Sequence, residues 1–184
     1  MKSRRSLYAA LLLVFLSVEA TPAQTLQALL ADVKAGRATP EDKLLLAKTY
    51  ISAKSYVQAQ AVLAALTFSD AQHKVTQLIL QGLCAEGLVQ NARAAALYAQ
   101  AVQVSPTRPD AYLRRGVLAY LSGNTSDARL MLQKSVSLAP NSPEAYYYLF
   151  RLATTSADRA STLNLLLACD GPDGAWSAKA LAHR

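Results

Sequence analysis

Few side chains in this sequence are of types that do chemistry, and their spacing argues against most of it. There are two histidines, His73 and His183, and two cysteines, Cys84 and Cys169. A zinc site needs three or four ligands at workable spacing, and these four positions do not supply one. Asp127 and Glu144 are the nearest thing to an acid–base pair. Each stands at the start of a predicted helix, where a carboxylate complements the positive end of the helix dipole. No glycine-rich phosphate loop and no nucleophile elbow occurs. No serine has a histidine placed near it by sequence logic. The reading is therefore not an enzyme, with no catalytic residue, no metal site and no cofactor.

The charge is equally uninformative about catalysis but does bear on partners. The formal net charge is +7, and Lys2, Arg4, Arg5 and Glu19 account for part of it. The remaining 16 basic residues are scattered, with Arg114-Arg115 the only adjacent pair. Nucleic-acid binding wants basic residues clustered on one face, so a solvated basic surface is the better reading.

Residues 1–23 read as a secretory signal peptide: a positive start, an apolar run from Leu7 to Val18, then small residues. Cleavage after Ala20 and after Ala23 compete, and an uncleaved anchor is the alternative. The apolar run is short for a membrane span of ~20 residues. The expectation is an exported protein, periplasmic or secreted, with no stable membrane insertion after cleavage. The two cysteines are read as small buried hydrophobes. A bridge between them is the alternative, but it needs Cα atoms within ~7 Å.

The elements that must position any site are helices. Hydrophobic content is 52%, much of it Ala and Leu, the residues with the highest helix propensity among the apolar ones. Leu26, Leu29, Leu30 and Val33 share one helical face, which predicts an N-terminal cap helix within 24–38. Thr39-Pro40-Glu41-Asp42 then has the order of a helix start, with a cap, a proline and two acids. Ser142-Pro143-Glu144 does the same job 103 residues later. Between them the pattern recurs every 34 residues. Gly82, Gly116 and Phe150 form one series, Leu78, Tyr112 and Tyr146 another, and Pro106 matches Pro140. Three periods make one residue fewer than the observed separation. An insertion is expected in the loosely patterned 67–74 connection. A fixed period of this length is the mark of a repeat array. The pairs are expected over 40–74, 75–108, 109–142 and 143–168, the last with a shortened turn. Residues 169–184 form a breaker and a short capping helix that carries Trp176.

With those positions laid out, residues 40–168 resemble the tetratricopeptide repeat family. In that family a large residue on the first helix of each pair, helix A, stands over a small one four residues on. Tyr112 with Gly116 and Leu78 with Gly82 fill those places, and Ala47 is the small residue of the first repeat. The alanine on helix B matches Ala59, Ala94 and Ala128. Its large residue matches Leu63, Tyr98 and Leu132. Departures are Gln81 and Arg115 where the family has leucine, and Phe150 at the small site, which implies altered packing where the stack ends.

The resemblance implies an all-α fold, a right-handed superhelical stack of antiparallel helix pairs, or α-solenoid. It implies an adaptor or scaffold that holds a protein or peptide on the concave face lined by helix A. The positions carried over are Leu44, Lys48, Ile51, Ile79, Leu83, Glu86, Leu113, Val117, Tyr120, Tyr147 and Arg151. That set is mostly apolar, which suits an amphipathic helix or an extended hydrophobic peptide. The basic and asparagine set by which some relatives clamp a C-terminal carboxylate is absent. The groove is expected to be either open or filled by the chain's own first helix or tail. Within Tyr146-Tyr147-Tyr148, successive residues diverge around the helix. Tyr146 is expected in the core, Tyr147 in the groove and Tyr148 on the flank, with no single stacking platform. Asn124-Thr125-Ser126 is a formal glycosylation acceptor that also reads as a turn and helix cap. Self-association through the groove or the end repeats is the alternative role.

Overall fold

The computed structural model describes residues 22–183, and residues 1–21 of the expected signal peptide lie outside them. Ten α-helices follow one another, with no strand among the described residues. They are α1 (Pro22–Lys34), α2 (Pro40–Ser52), α3 (Tyr56–Ala64), α4 (Ala71–Gly87) and α5 (Asn91–Val104). The rest are α6 (Pro109–Leu121), α7 (Thr125–Leu138), α8 (Pro143–Leu152), α9 (Ser156–Asp170) and α10 (Ala175–Leu181). Helices α2/α3, α4/α5, α6/α7 and α8/α9 pack as antiparallel hairpins, and each hairpin leans on the next. The A helices α2, α4, α6 and α8 also touch in series. This is the right-handed stack of helix pairs that the resemblance implied.

The helix starts follow local chemistry. Thr39 caps α2 in a capping box: its Oγ1 accepts from the Asp42 N–H at 3.1 Å, and Asp42 Oδ2 accepts from the Thr39 N–H at 2.9 Å. Those bonds favour the ionised form of Asp42 and hold its carboxyl below the ordinary range. Asn124 Oδ1 caps α7 through the Asp127 N–H at 3.2 Å, so the formal glycosylation site is a helix cap here. Ser142 was expected to cap α8 but makes no such bond. The Pro143 ring starts that helix, and Glu144 pairs instead with Arg114 across the hairpin boundary.

The core is the repeat pattern made solid. Leu63, Tyr98, Leu132 and Leu166 are fully buried, one per helix B, and each such side chain contributes ~1.5–3 kcal/mol of hydrophobic stabilisation. Ala59, Ala94 and Ala128 are buried beside the first three. The glycines on helix A mark the closest approach. A Cβ built at Gly82 would come within 2.3 Å of the Tyr98 ring, and one at Gly116 within 2.8 Å of Leu132 Cγ. Only a hydrogen fits there.

The expected irregularity between the first two hairpins takes a specific form. Helix α3 has 9 residues where α5 and α7 have 14, while α4 has 17 where α6 has 13. Helix α4 therefore starts at Ala71, before the expected Val75, with Asp70 as its cap. The early end of α3 frees carbonyls inside the protein. Buried Gln77 answers them: its Nε2 donates to Leu63 O and Leu66 O, each at 2.8 Å.

The closing hairpin differs too. The expected shortened turn is a shortened helix: α8 has 10 residues and stops at Leu152. Residues 153–155 then connect to α9, as many as join α6 to α7. Thr155 Oγ1 caps α9 through the Asp158 N–H at 3.1 Å. Phe150, at the position of Gly82 and Gly116, is 2% exposed, and the Arg159 guanidinium lies 5.5 Å from its ring centroid. The bulky ring fills the space that elsewhere admits the second helix. Helix α10 then packs on both α8 and α9, in the place of a further helix A. Asp170 Oδ2 accepts from the Trp176 and Ser177 N–H groups at 2.8 Å each and so fixes its start. Ser177 is the third residue of α10, as Ala111 and Ala145 are of α6 and α8, and all three are fully buried.

Cys84 is fully buried and Cys169 half-buried, both as free thiols. Burial pushes the Cys84 thiol up to about 11. The Cys169 Sγ–H donates to Pro140 O at 3.5 Å. No described helix is long and apolar enough to cross a membrane.

Candidate binding groove

The four A helices carry all eleven positions of the expected groove, but they do not all reach the surface. Leu44, Ile79, Leu113, Val117 and Tyr147 are buried. The reason is the contact between successive A helices: a residue at the seam is covered by the neighbouring helix. These five make the floor. Lys48 and Arg151 are exposed, while Ile51, Leu83, Glu86 and Tyr120 are half-buried. The accessible lining is thus half charged, less apolar than the full set.

One end of this surface is covered by the chain itself. Trp176 of α10 lies 5.2 Å from Tyr147 and 6.2 Å from Tyr148, ring centroid to centroid. Lys179 Nζ stands 4.9 Å from the Tyr147 ring and 5.0 Å from Trp176. Tyr148 meets Tyr120 edge-on at 5.1 Å and Tyr147 at 5.2 Å. Tyr148 is therefore not on a separate flank. The four rings form one cluster, in which edge-to-face pairs contribute ~0.5–1.5 kcal/mol beyond burial. Arg151 Nη1 donates to Tyr147 Oη at 3.2 Å and holds the rim. Tyr146 goes to the core, as expected. Spacing alone did not reveal that Trp176 and Tyr148 join this surface. Tyr148 does stand 34 residues after Arg114, another residue of this surface.

In the middle of the surface sits a chain of polar groups. Tyr98, on α5, passes its hydroxyl between helices and donates to Glu86 Oε1 at 2.5 Å. Burial raises the Glu86 carboxyl above its ordinary value, against the lowering effect of the Tyr98 bond and the Arg114 charge. Burial, then the same bond, also raises the Tyr98 phenol. Arg114 itself is held by Glu144. Arg115, where the family has leucine, turns instead to Asp127 at 3.3 Å. It borders a cleft of about 460 Å³ between α5, α6 and the start of α7. At the other end, His73 lies in the first turn of α4, with Nδ1 2.9 Å from Asp70 and Nε2 3.6 Å from Glu41 of α2. Among the described residues no group of three His, Cys, Asp or Glu side chains is placed to hold a metal.

A stack of helix hairpins with a lined inner surface defines a helical-repeat protein. Comparison of sequences sharpens this. Residues 85–156, from the end of α4 into the start of α9, match the family described as Tetratricopeptide repeat. Curated protein sequences give no match. Solved structures agree on the fold. A thermophilic TPR protein of Thermus thermophilus superposes with a TM-score of 0.75 at 16% identity, covering 97% of this chain and 93% of that one. The pilF protein of Pseudomonas aeruginosa gives 0.65 at 13%, covering 91% and 84%. MamA of Desulfovibrio magneticus gives 0.60 at 16%, covering 92% and 94%.

Proposed function

We propose that this protein is an exported adaptor that holds a segment of another protein on the inner surface of its A helices, in envelope assembly or secretion. One observation carries the reading. The accessible stretch from Lys48 and Ile51 through Leu83 and Glu86 to Tyr120 is not covered by the chain's own tail, which lies at the Tyr147 end. A surface that mixes apolar and charged side chains over a rigid floor suits a peptide segment. Export rests on the pattern of residues 1–23, and the protein recovered from cells should begin at Thr21 or Gln24. For the groove, envelope fractions are passed over wild-type protein and a Leu83→Ala/Tyr120→Ala variant. Partners held by wild type and lost by the variant support the reading. Identical retention on both removes the groove from consideration.

A second role, self-association, is favoured by the N-terminal end. Leu30 and Val33 of α1 are each 37% exposed there. Light scattering across a concentration series decides it: a monomer at high concentration rules it out.

A further inference from the structure

Among the described residues, seven acidic side chains are partly buried: Asp32, Asp42, Glu86, Asp110, Asp127, Glu144 and Asp170. Six have a partner suited to a negative charge. Asp32, Asp110, Asp127 and Glu144 each meet an arginine. Asp42 and Asp170 accept backbone N–H groups. Glu86 alone meets only a neutral group, the Tyr98 hydroxyl. It is also the one of the seven on the accessible middle of the groove. The cation that acts on it is Arg114, which pairs with Glu144 and not with Glu86. A half-desolvated carboxylate without a cation is costly to keep. That cost is removed when something positively charged arrives.

We infer that Glu86 is the specificity-determining residue of the groove and receives a lysine or arginine side chain of the bound segment. The apolar neighbours of that residue pack on Leu83 and Tyr120. The inference rests on the groove reading above. The local charges support it: Glu86, Arg114 and Glu144 sum to one negative charge, in a chain whose overall charge is +7. Lys48 lies on the neighbouring A helix and sets the opposite preference there. Tyr98 orients the carboxylate from beneath, with its own hydroxyl spent on Oε1, so that Oε2 remains to accept from the ligand.

The test is a random displayed-peptide library selected on the immobilised protein. The best peptide is then synthesised with its basic residue as Lys and as Gln. Both forms are titrated against wild type, Glu86→Gln and Tyr120→Ala. Gln is isosteric and keeps an acceptor for Tyr98, so the variant is expected to fold. The expected result is a basic residue enriched between apolar ones and a loss of about 10–100-fold on wild type when Lys becomes Gln, with no loss on Glu86→Gln, the size of a charge-assisted hydrogen bond. The carboxyl carbon resonance of Glu86, followed by NMR against pH, should also titrate at lower pH once the Lys peptide is bound. Selected peptides without a basic residue, or an equal loss on wild type and Glu86→Gln, overturn the inference and leave the groove standing. A library that enriches nothing, or peptides indifferent to Tyr120→Ala, overturns the groove and the inference together.

Discussion

The two central hairpins and the closing one share a 34-residue pitch but bring their helices together in opposite ways. In α4/α5 and α6/α7 the approach is made by leaving out a side chain. Gly82 admits the Tyr98 ring, and Gly116 admits Leu132. In α8/α9 the equivalent position is Phe150, and the ring itself is the contact. The central solution makes each hairpin able to accept another on both sides. The closing one comes with a helix A cut to 10 residues and a following helix, α10, of only 7. A repeat can thus keep its period in sequence while changing from a link in the stack into its end.

Putting alanine at both kinds of position is the sharpest way to separate the two. Phe150→Ala should cost the most, ~3–5 kcal/mol, by leaving a cavity. Gly82→Ala should cost ~1–3 kcal/mol by overpacking against Tyr98, reduced by the better helix propensity of alanine. Urea denaturation measures both, and an equal or reversed order would mean that the closing hairpin packs like the central ones. Ser177→Ala reverses the sign. The Ser177 hydroxyl is buried without a hydrogen-bond partner, where α6 and α8 have alanine. Its removal should stabilise by ~1 kcal/mol, read as a higher melting temperature.

The smallest effect belongs to the central hairpins. The folded-state pKa of Glu86 is raised, so its proton is held more tightly folded than unfolded. Its contribution is therefore most favourable at low pH. It is lost as pH rises from the ordinary glutamate range through the raised folded value. Glu86→Gln should be slightly more stable than wild type at neutral pH, by less than ~1 kcal/mol, and the two should converge at acidic pH. Thermal melts across pH 3–8 check the sign.

How much of this was legible depended on what each residue reports. The pitch carried by Gly82, Gly116, Pro106 and Pro140 is a property of backbone geometry, and it survives as spacing. The start of α4 is set by the Gln77 amide reaching two carbonyls of another helix, which no local pattern announces. The burial of Ile79, Val117 and Tyr147 arises from contact between successive A helices, so the full groove set looked more apolar than its exposed part. Trp176 was legible as part of a closing helix on the last hydrophobic face, but its contact with Tyr147 was not. The 34-residue count runs on to Leu166 of α9, but α10 starts 32 residues after α8 and is out of register. Glu86 was placed on the groove by resemblance, but its lack of a paired cation became visible only once Arg114 was seen to pair with Glu144.

Trp176 is the only tryptophan in the chain, and it sits on the last and shortest helix of the stack. Its emission therefore watches one extremity, while far-ultraviolet dichroism averages over every turn of helix. A solenoid that frays from its C-terminal edge would lose the indole signal before it loses ellipticity. The two curves would separate on warming, and the gap between them would measure how loosely the final helix is laid down.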